Sequence, residues 1–427
     1  MTMKKNALKN WKGTACIIGL DFGDSGKGRL VDELATRAHI VARYNGGSNA
    51  GHTVKNKFGK FALHMMPSGI FNPKTTCLIG RGVAANLESL VLEMEIVKKV
   101  GVSLKNLFID EQATMTMSWH VIRESLREEI LSSKIGTTRN GIGPTYADRT
   151  ERVGLRVKDL MEANFKEKLA YEVKVQNKIF DLKLNTGEIL KKYVKIRNII
   201  KPYIAKTIPV LKKAQNEDKN ILFEGAQGWF LDIDFGTYPF VTSSNTGVLG
   251  IWRSFDVHPT EINHVIGLSK SYLTRVGAGP MPTKIGGKIE DKIVKMGQEF
   301  GTTTGRRRDC GWLDLVLVKA AAKSNRLTSL AVTKLDVLTN LKKIKVCIGY
   351  KKAVKKADYI LGDAEHLKKC EPQYKELAGW NENITKVKNF NKLPKNAKTY
   401  IKFIEKYVEV PIDFISVGPA RGDAIYV

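Results

Sequence analysis

The sequence predicts an α/β fold: a large, mainly parallel central sheet flanked by helices, with one helical insertion. Three observations carry that expectation. Short apolar runs alternate with stretches of helical period along most of the chain. A glycine-rich loop follows the first such run and leads directly into a helix pattern. The length, 427 residues, allows one large core.

The elements follow in order. Residues 1–14 read as a mobile leader: the start is polar and lysine-bearing, without the apolar stretch of a secretory signal. Cys16-Ile17-Ile18 reads as a buried strand, and Gly19-Leu-Asp-Phe-Gly-Asp-Ser-Gly-Lys-Gly-Arg29 as a turn that opens a helix carrying Leu30, Val31, Leu34 and Ala35 on one side. Such a turn can aim backbone N–H groups at a phosphate, or be a plain tight βα connection. It departs from the standard phosphate loop, because Gly28 follows Lys27 where Ser or Thr is expected. Asp24 is the unusual member. A carboxylate in a phosphate cradle repels its ligand unless it holds a metal or takes a proton.

Residues 40–44 form the next strand and run into the polar loop Asn45-Gly-Gly-Ser-Asn-Ala-Gly-His-Thr53, with His52 at its end. Residues 61–65, 77–80 and 107–110 are further strands, and residues 84–100 and 120–131 are helices. Gly136-Thr-Thr-Arg-Asn-Gly-Ile-Gly-Pro144 is an anion site or a long surface loop. Residues 155–217 are charged, lysine-rich and helical, and read as the insertion. Phe223-Glu-Gly-Ala-Gln-Gly228 returns to strand and turn. Val241-Thr-Ser-Ser-Asn-Thr246 offers hydroxyls to a ligand or forms a turn rich in Ser and Thr.

Gly301-Thr-Thr-Thr-Gly-Arg-Arg-Arg-Asp309 is the densest anion-binding signal, since consecutive arginines fork onto carboxylates and phosphates. Thr333-Lys-Leu-Asp336, after an apolar strand, is similar to the guanine-reading motif of GTP-binding proteins. Pro411-Ile-Asp-Phe-Ile-Ser-Val-Gly-Pro419 gives a last strand and turn.

Composition narrows the function. No apolar run is long enough to cross a bilayer. The five cysteines form no Cys-x-x-Cys pair, which favours reduced thiols in a cytoplasmic protein and no zinc site. The net charge of +27 admits nucleic-acid binding, but the lysines are spread over solvated faces without aromatic interleaving, which argues against it.

Taken together the motifs resemble the adenylosuccinate synthetase family over nearly the whole chain. The landmarks are Gly23-Asp-Ser-Gly-Lys-Gly28, Asn49-Ala-Gly-His-Thr53, Ile135-Gly-Thr-Thr138, Gly141-Ile-Gly-Pro144, Phe223-Glu-Gly-Ala-Gln-Gly228, Gly236-Thr-Tyr-Pro239, Thr274-Arg-Val-Gly-Ala-Gly-Pro280, Thr303-Thr-Gly-Arg-Arg-Arg308, Gly311-Trp-Leu-Asp314 and Thr333-Lys-Leu-Asp336. The resemblance implies a single catalytic domain over 15–427 with a P-loop-like GTP site. It implies transfer of the γ-phosphate of GTP to the 6-oxygen of IMP. L-Aspartate then displaces that phosphate to give adenylosuccinate, in the presence of Mg²⁺.

By the same resemblance Asp24 is the base and a metal ligand, His52 the acid, and Lys27 a phosphate contact, with the Gly51 carbonyl on the metal. Gly23, Gly26, Lys27, Gly28, Gly51, His52, Thr53, Arg308, Lys334, Asp336, Ser416 and Gly418 would bind GTP. Asp24, Asn49, Thr138, Gln227, Thr242 and Arg306 would surround IMP, with Arg152 reaching it from the other subunit of a homodimer. Thr303, Thr304, Arg306 and Arg308 would grip aspartate, with Val276 between aspartate and nucleotide. The sequence departs from the family pattern at several points. Asp21, Phe22 and Ser25 replace Gln, Trp and Glu; Lys284 replaces Glu; Asp309 replaces Arg; and Gly247-Val-Leu-Gly250 replaces a Thr-Ala-Gly-Gly type stretch. These leave open a relative that runs the same chemistry on another purine nucleotide, such as GMP or dGMP, or on another amine. A third reading is a basic nucleic-acid binder on the same scaffold.

Overall fold

The computed structural model describes residues 8–132, 134–301, 305–351 and 362–427. Its centre is a ten-stranded sheet. Across it the strands run Ala424–Tyr426, Ile412–Ser416, Ser329–Thr333, His264–Lys270, Thr14–Gly19, Ile221–Glu224, Ile40–Arg43, Thr76–Ile79, Leu107–Asp110 and Ile204–Ala205. Neighbours are parallel except for the antiparallel edge strand Ala424–Tyr426. The mainly parallel sheet expected from the alternation is therefore present, because crossover connections, most of them helical, return the chain to the same end of the sheet.

The strand Thr14–Gly19 is buried throughout, and its side chains alternate between two cores. Cys16 and Ile18 pack in one and Ala15 and Ile17 in the other, as the pleat requires. Its neighbours, Ile221–Glu224 and His264–Lys270, come from much later in the chain. The chain first winds outward on one side of this strand and later fills the other. Ligands in such sheets bind at that switch, beyond the strand's carboxyl end, where the glycine loop lies.

Three expectations change in detail. Leu8 and Trp11 are buried in one core, so the leader reading is left to residues 1–7, outside the described residues. Two large apolar side chains anchor that otherwise polar stretch. The strand expected at 61–65 is Gly59–Leu63, and it pairs antiparallel with His52–Asn56 in a separate hairpin rather than in the large sheet. The lysine-rich stretch is helical over Phe165–Phe180, Thr186–Ile200 and Thr207–Asn216, yet it also contributes the sheet's edge strand Ile204–Ala205.

Candidate active site

The glycine loop turns sharply because Gly23, Asp24 and Gly26 all have positive φ, at 90°, 53° and 91°. Gly26 caps the helix Lys27–Leu34 in the left-handed conformation. The missing Ser or Thr after Lys27 has a steric reason. A Cβ at Gly28 would lie 2.9 Å from the His52 Cβ, so the helix start and the His52 strand touch there.

The loop opens onto a cleft of about 1720 Å³. Of the residues expected in the site, it is lined by Gly23, Asp24, Gly26, Lys27, Gly28, Asn49, Gly51, His52, Thr53, Thr138, Gln227, Thr242, Val276, Arg308, Lys334, Asp336, Ser416 and Gly418. Arg306 lies beside it instead, where its Nη2 donates to the carbonyls of Gly136 and Thr137 at 3.1 and 3.2 Å. Arg152 is exposed at the end of the helix Ile142–Glu151 and does not line the cleft. Thr303 and Thr304 lie outside the described residues.

Several groups are joined directly. The Gln227 amide donates to Asn49 Oδ1 at 3.1 Å, and the Asn49 amide donates to Thr242 Oγ1 at 3.3 Å. Three residues expected around one nucleotide thus form a single hydrogen-bonded row. Lys27 Nζ donates to the Gln227 carbonyl. Burial pulls the Lys27 ammonium down to about 8, against the opposing pull of Asp21 and Glu224. Arg308 forms an ion pair with Asp24 and is itself almost fully buried.

His52 Nδ1 meets the carboxylate of Glu224, which also accepts from Ser68 N at 2.8 Å and Ser68 Oγ at 2.5 Å. Burial lowers the His52 pKa, Arg43 and Lys27 push the same way, and Glu224 opposes them. The Glu224 carboxylate is held below its ordinary range; burial would raise it, but His52, Ser68 and Arg43 outweigh that. An ionised Glu224 accepts, so Nδ1 carries the proton. Nε2 is buried and without a hydrogen-bond partner among the described residues. A phosphate brought to Nε2 would favour the imidazolium, with Glu224 already supporting the charge.

At the far end, Thr333 Oγ1 donates to the Ser25 carbonyl at 2.7 Å and ties the Thr-Lys-Leu-Asp motif to the phosphate loop. Arg29 donates to the Ala420 carbonyl at 2.9 and 3.2 Å, holding the C-terminal turn against the same helix. Lys334 takes a left-handed φ of 58° and points its Nζ to Glu299 Oε1 at 2.7 Å. Sequence reasoning missed both Glu224 and Glu299. Glu224 stands inside a quoted motif, but its partner is 172 residues away.

Four of the departures from the family pattern meet in two pairs. Ser25 Oγ donates to Asp21 Oδ1 at 2.8 Å, beneath the loop, and neither residue lines the cleft. Lys284 Nζ pairs with Asp309 Oδ1 at 2.7 Å, again away from the cleft. Phe22 does line it, and packs under the Arg275 guanidinium at 4.3 Å from ring centre.

For a metal, the donors that fit are the Asp24 carboxylate and the Gly51 carbonyl, both on the cleft wall. Among the described residues no cluster of three or more His, Cys, Asp or Glu could cage an ion. One carboxylate beside a phosphate site suits a hard cation that keeps waters and takes phosphate oxygens. Such an ion would have to share Asp24 with Arg308 or displace it.

A family model described as adenylosuccinate synthetase matches residues 16–425. The adenylosuccinate synthetase of Halothermothrix orenii is 46% identical over 97% of this chain and 98% of its own. That of Caldanaerobacter subterraneus is 45% identical over 96% and 98%. A fully ligated adenylosuccinate synthetase structure from Plasmodium falciparum superposes with a TM-score of 0.93 at 34% identity, covering 97% of this chain and all of that one. A cyanophage succinoaminodeoxyadenylate synthetase bound to dGMP and dATP shares the fold alone, with a TM-score of 0.64 at 16% identity.

Proposed function

We propose how this site works from one premise: the chain belongs to the adenylosuccinate synthetase family. It is a ligase that joins L-aspartate to IMP at the expense of GTP, through 6-phosphoryl-IMP, to give adenylosuccinate, GDP and phosphate in purine biosynthesis. The family requires a metal; Mg²⁺ is the ion we assign. The carrying observation is that Asp24, Lys27, His52 and Arg308 converge on one cleft with the row Gln227–Asn49–Thr242.

The 6-oxo group of the purine is a poor leaving group, so it is first phosphorylated. Asp24 takes the N1 proton, which turns the 6-oxygen into a nucleophile. Gln227, Asn49 and Thr242 orient the nucleotide, with Thr138 also on the cleft wall. Lys27 and His52 Nε2 meet the charge that develops on the transferring phosphate. Mg²⁺, held by Asp24 and the Gly51 carbonyl, would neutralise phosphate oxygens. Arg308, with Thr303, Thr304, Arg306 and Val276, receives the aspartate, whose amine then attacks C6. Lys334 and Asp336, with Ser416 and Gly418 beside them, read guanine: the Asp336 carboxylate accepts from N1–H and the 2-amino group. Gly23, Gly26, Gly28 and Thr53 line the phosphate path.

The paired departures support IMP as the purine. Ser25 donates to Asp21 under the loop, and Lys284 pairs with Asp309 at the surface, and none of the four lines the cleft beside the nucleotide row. Arg152 is exposed outside the cleft, as a residue offered to a second copy in a homodimer would be. No helix among the described residues is long and apolar enough to cross a membrane, and we assign the enzyme to the cytoplasm. Supplying GTP, Mg²⁺ and aspartate with IMP, GMP or dGMP tests the reading. Adenylosuccinate from IMP is expected, and product only from a guanine nucleotide would overturn the purine assignment.

A further inference from the structure

Glu299 is fully buried and carries no role in the reaction as described above. Four donors nevertheless converge on its carboxylate. Oε2 accepts from Lys270 Nζ at 2.9 Å and from Arg308 Nη1. Oε1 accepts from Lys334 Nζ at 2.7 Å and from the Tyr272 hydroxyl. Its backbone carbonyl also accepts from Arg308 N at 3.0 Å. Burial alone would raise the Glu299 pKa, but Lys270 and Lys334 hold it below the ordinary value. The carboxylate is therefore an ionised hub in a dry interior, where hydrogen bonds to charged groups are strong and their directions fixed.

Two of the four donors line the cleft and belong to different parts of it. Lys334 belongs to the guanine-reading turn, and Arg308 pairs with Asp24 in the phosphate loop. Arg308 thus bridges two carboxylates, one buried and one in the cleft. When Asp24 turns to a proton or an ion, Arg308 needs a second anionic partner, and Glu299 supplies it.

We infer that Glu299 is a positioning residue for the ligation, holding Lys334 and Arg308 in one frame so that seating the guanine base and freeing Asp24 from Arg308 are linked. This rests on the proposed reading of the cleft. Glu299 touches no substrate; it acts through the two cations.

The test is steady-state kinetics on the full chain with IMP, GTP, aspartate and Mg²⁺. Glu299→Gln keeps the shape and removes the charge. Its KM for GTP and its KM for aspartate should rise together, each by about tenfold or more, as expected for loss of a charge-assisted contact. The KM for IMP should change less than threefold, by the same scale for a site whose contacts are kept. Glu299→Asp should restore part of both effects. A rise in only one KM, or in neither, would overturn the inference. If Glu299→Gln does not fold, Lys334→Met decides. With one cation gone, Glu299 draws Arg308 harder, so the KM for aspartate should rise along with that for GTP; a change confined to GTP would overturn the link. Wild-type protein that makes no adenylosuccinate would instead sink the reading of the cleft.

Discussion

Two fully buried carboxylates serve the cleft from different sides, and they are wired differently. Glu224 ends a central strand and serves one group of the proposed machinery: it meets His52 and also accepts from Ser68. Glu299 lies in the segment after the helix Gly287–Gly297 and gathers Lys270, Tyr272, Arg308 and Lys334. A carboxylate hydrogen-bonded to a single ionisable group sets that group's proton and tautomer. A carboxylate with several cations sets distances among them. On the proposed reading, Glu224 therefore serves proton chemistry at His52, and Glu299 serves the geometry that joins Lys334 to Arg308.

The largest effects should come from the proton-chemistry side. Asp24→Asn and His52→Asn should each lower kcat by at least about 10³-fold while the fold persists by circular dichroism, since each removes a group to which the proposed mechanism gives acid–base work. Glu224→Gln keeps the hydrogen bond but removes the charge that supports a protonated His52. Its kcat should fall on the order of 10²-fold with the KM for GTP nearly unchanged. That split would separate it from Glu299→Gln, whose signature is in KM; matching signatures would erase the contrast.

A pH series sharpens the same contrast. Burial brings both Lys27 and Lys334 to about 8, with Asp21 and Glu224 opposing it at Lys27 and Glu299 at Lys334. A lysine with a lowered pKa is charged below that value and neutral above it. GTP binding should therefore weaken as pH rises through about 8, well before an ordinary lysine at 10.5 would lose its proton. Measuring the KM for GTP from neutral to alkaline pH checks the sign; tighter binding at the alkaline end would refute it.

The smallest effects should fall on the paired departures. Ser25→Ala removes one hydrogen bond to the buried Asp21, worth about 1 kcal/mol of stability, and should leave the KM for IMP unchanged. Lys284→Ala breaks an ion pair whose side chains are half exposed, at 52% and 53%, and should alter stability by less than about 1 kcal/mol. Denaturant titration measures both.

What the sequence made legible follows from where the chemistry is local. The glycine loop, the Asn49-Ala-Gly-His-Thr53 run and the Thr-Lys-Leu-Asp turn each carry their donors within a few residues, and all of them line the cleft. The carboxylate hubs were not legible. His52 and Glu224 are 172 residues apart, and Lys334 and Glu299 are 35 apart, so only the fold brings them together. The Lys284–Asp309 pair was hidden for the same reason: each residue looked like a separate departure until the structure joined them across 25 positions. Residues 61–65 misled in another way. Their short, mostly apolar run signals a strand but not its partner, and the short Asn56-Lys-Phe-Gly59 turn folds them back on the His52 strand.

The account stands most directly on Asp24. Wild-type protein given IMP, GTP, L-aspartate and Mg²⁺ should release adenylosuccinate, GDP and phosphate in equal amounts, and Asp24→Asn should release none above background at the same protein concentration. Near-normal ligation by Asp24→Asn would contradict the account, whatever the purine.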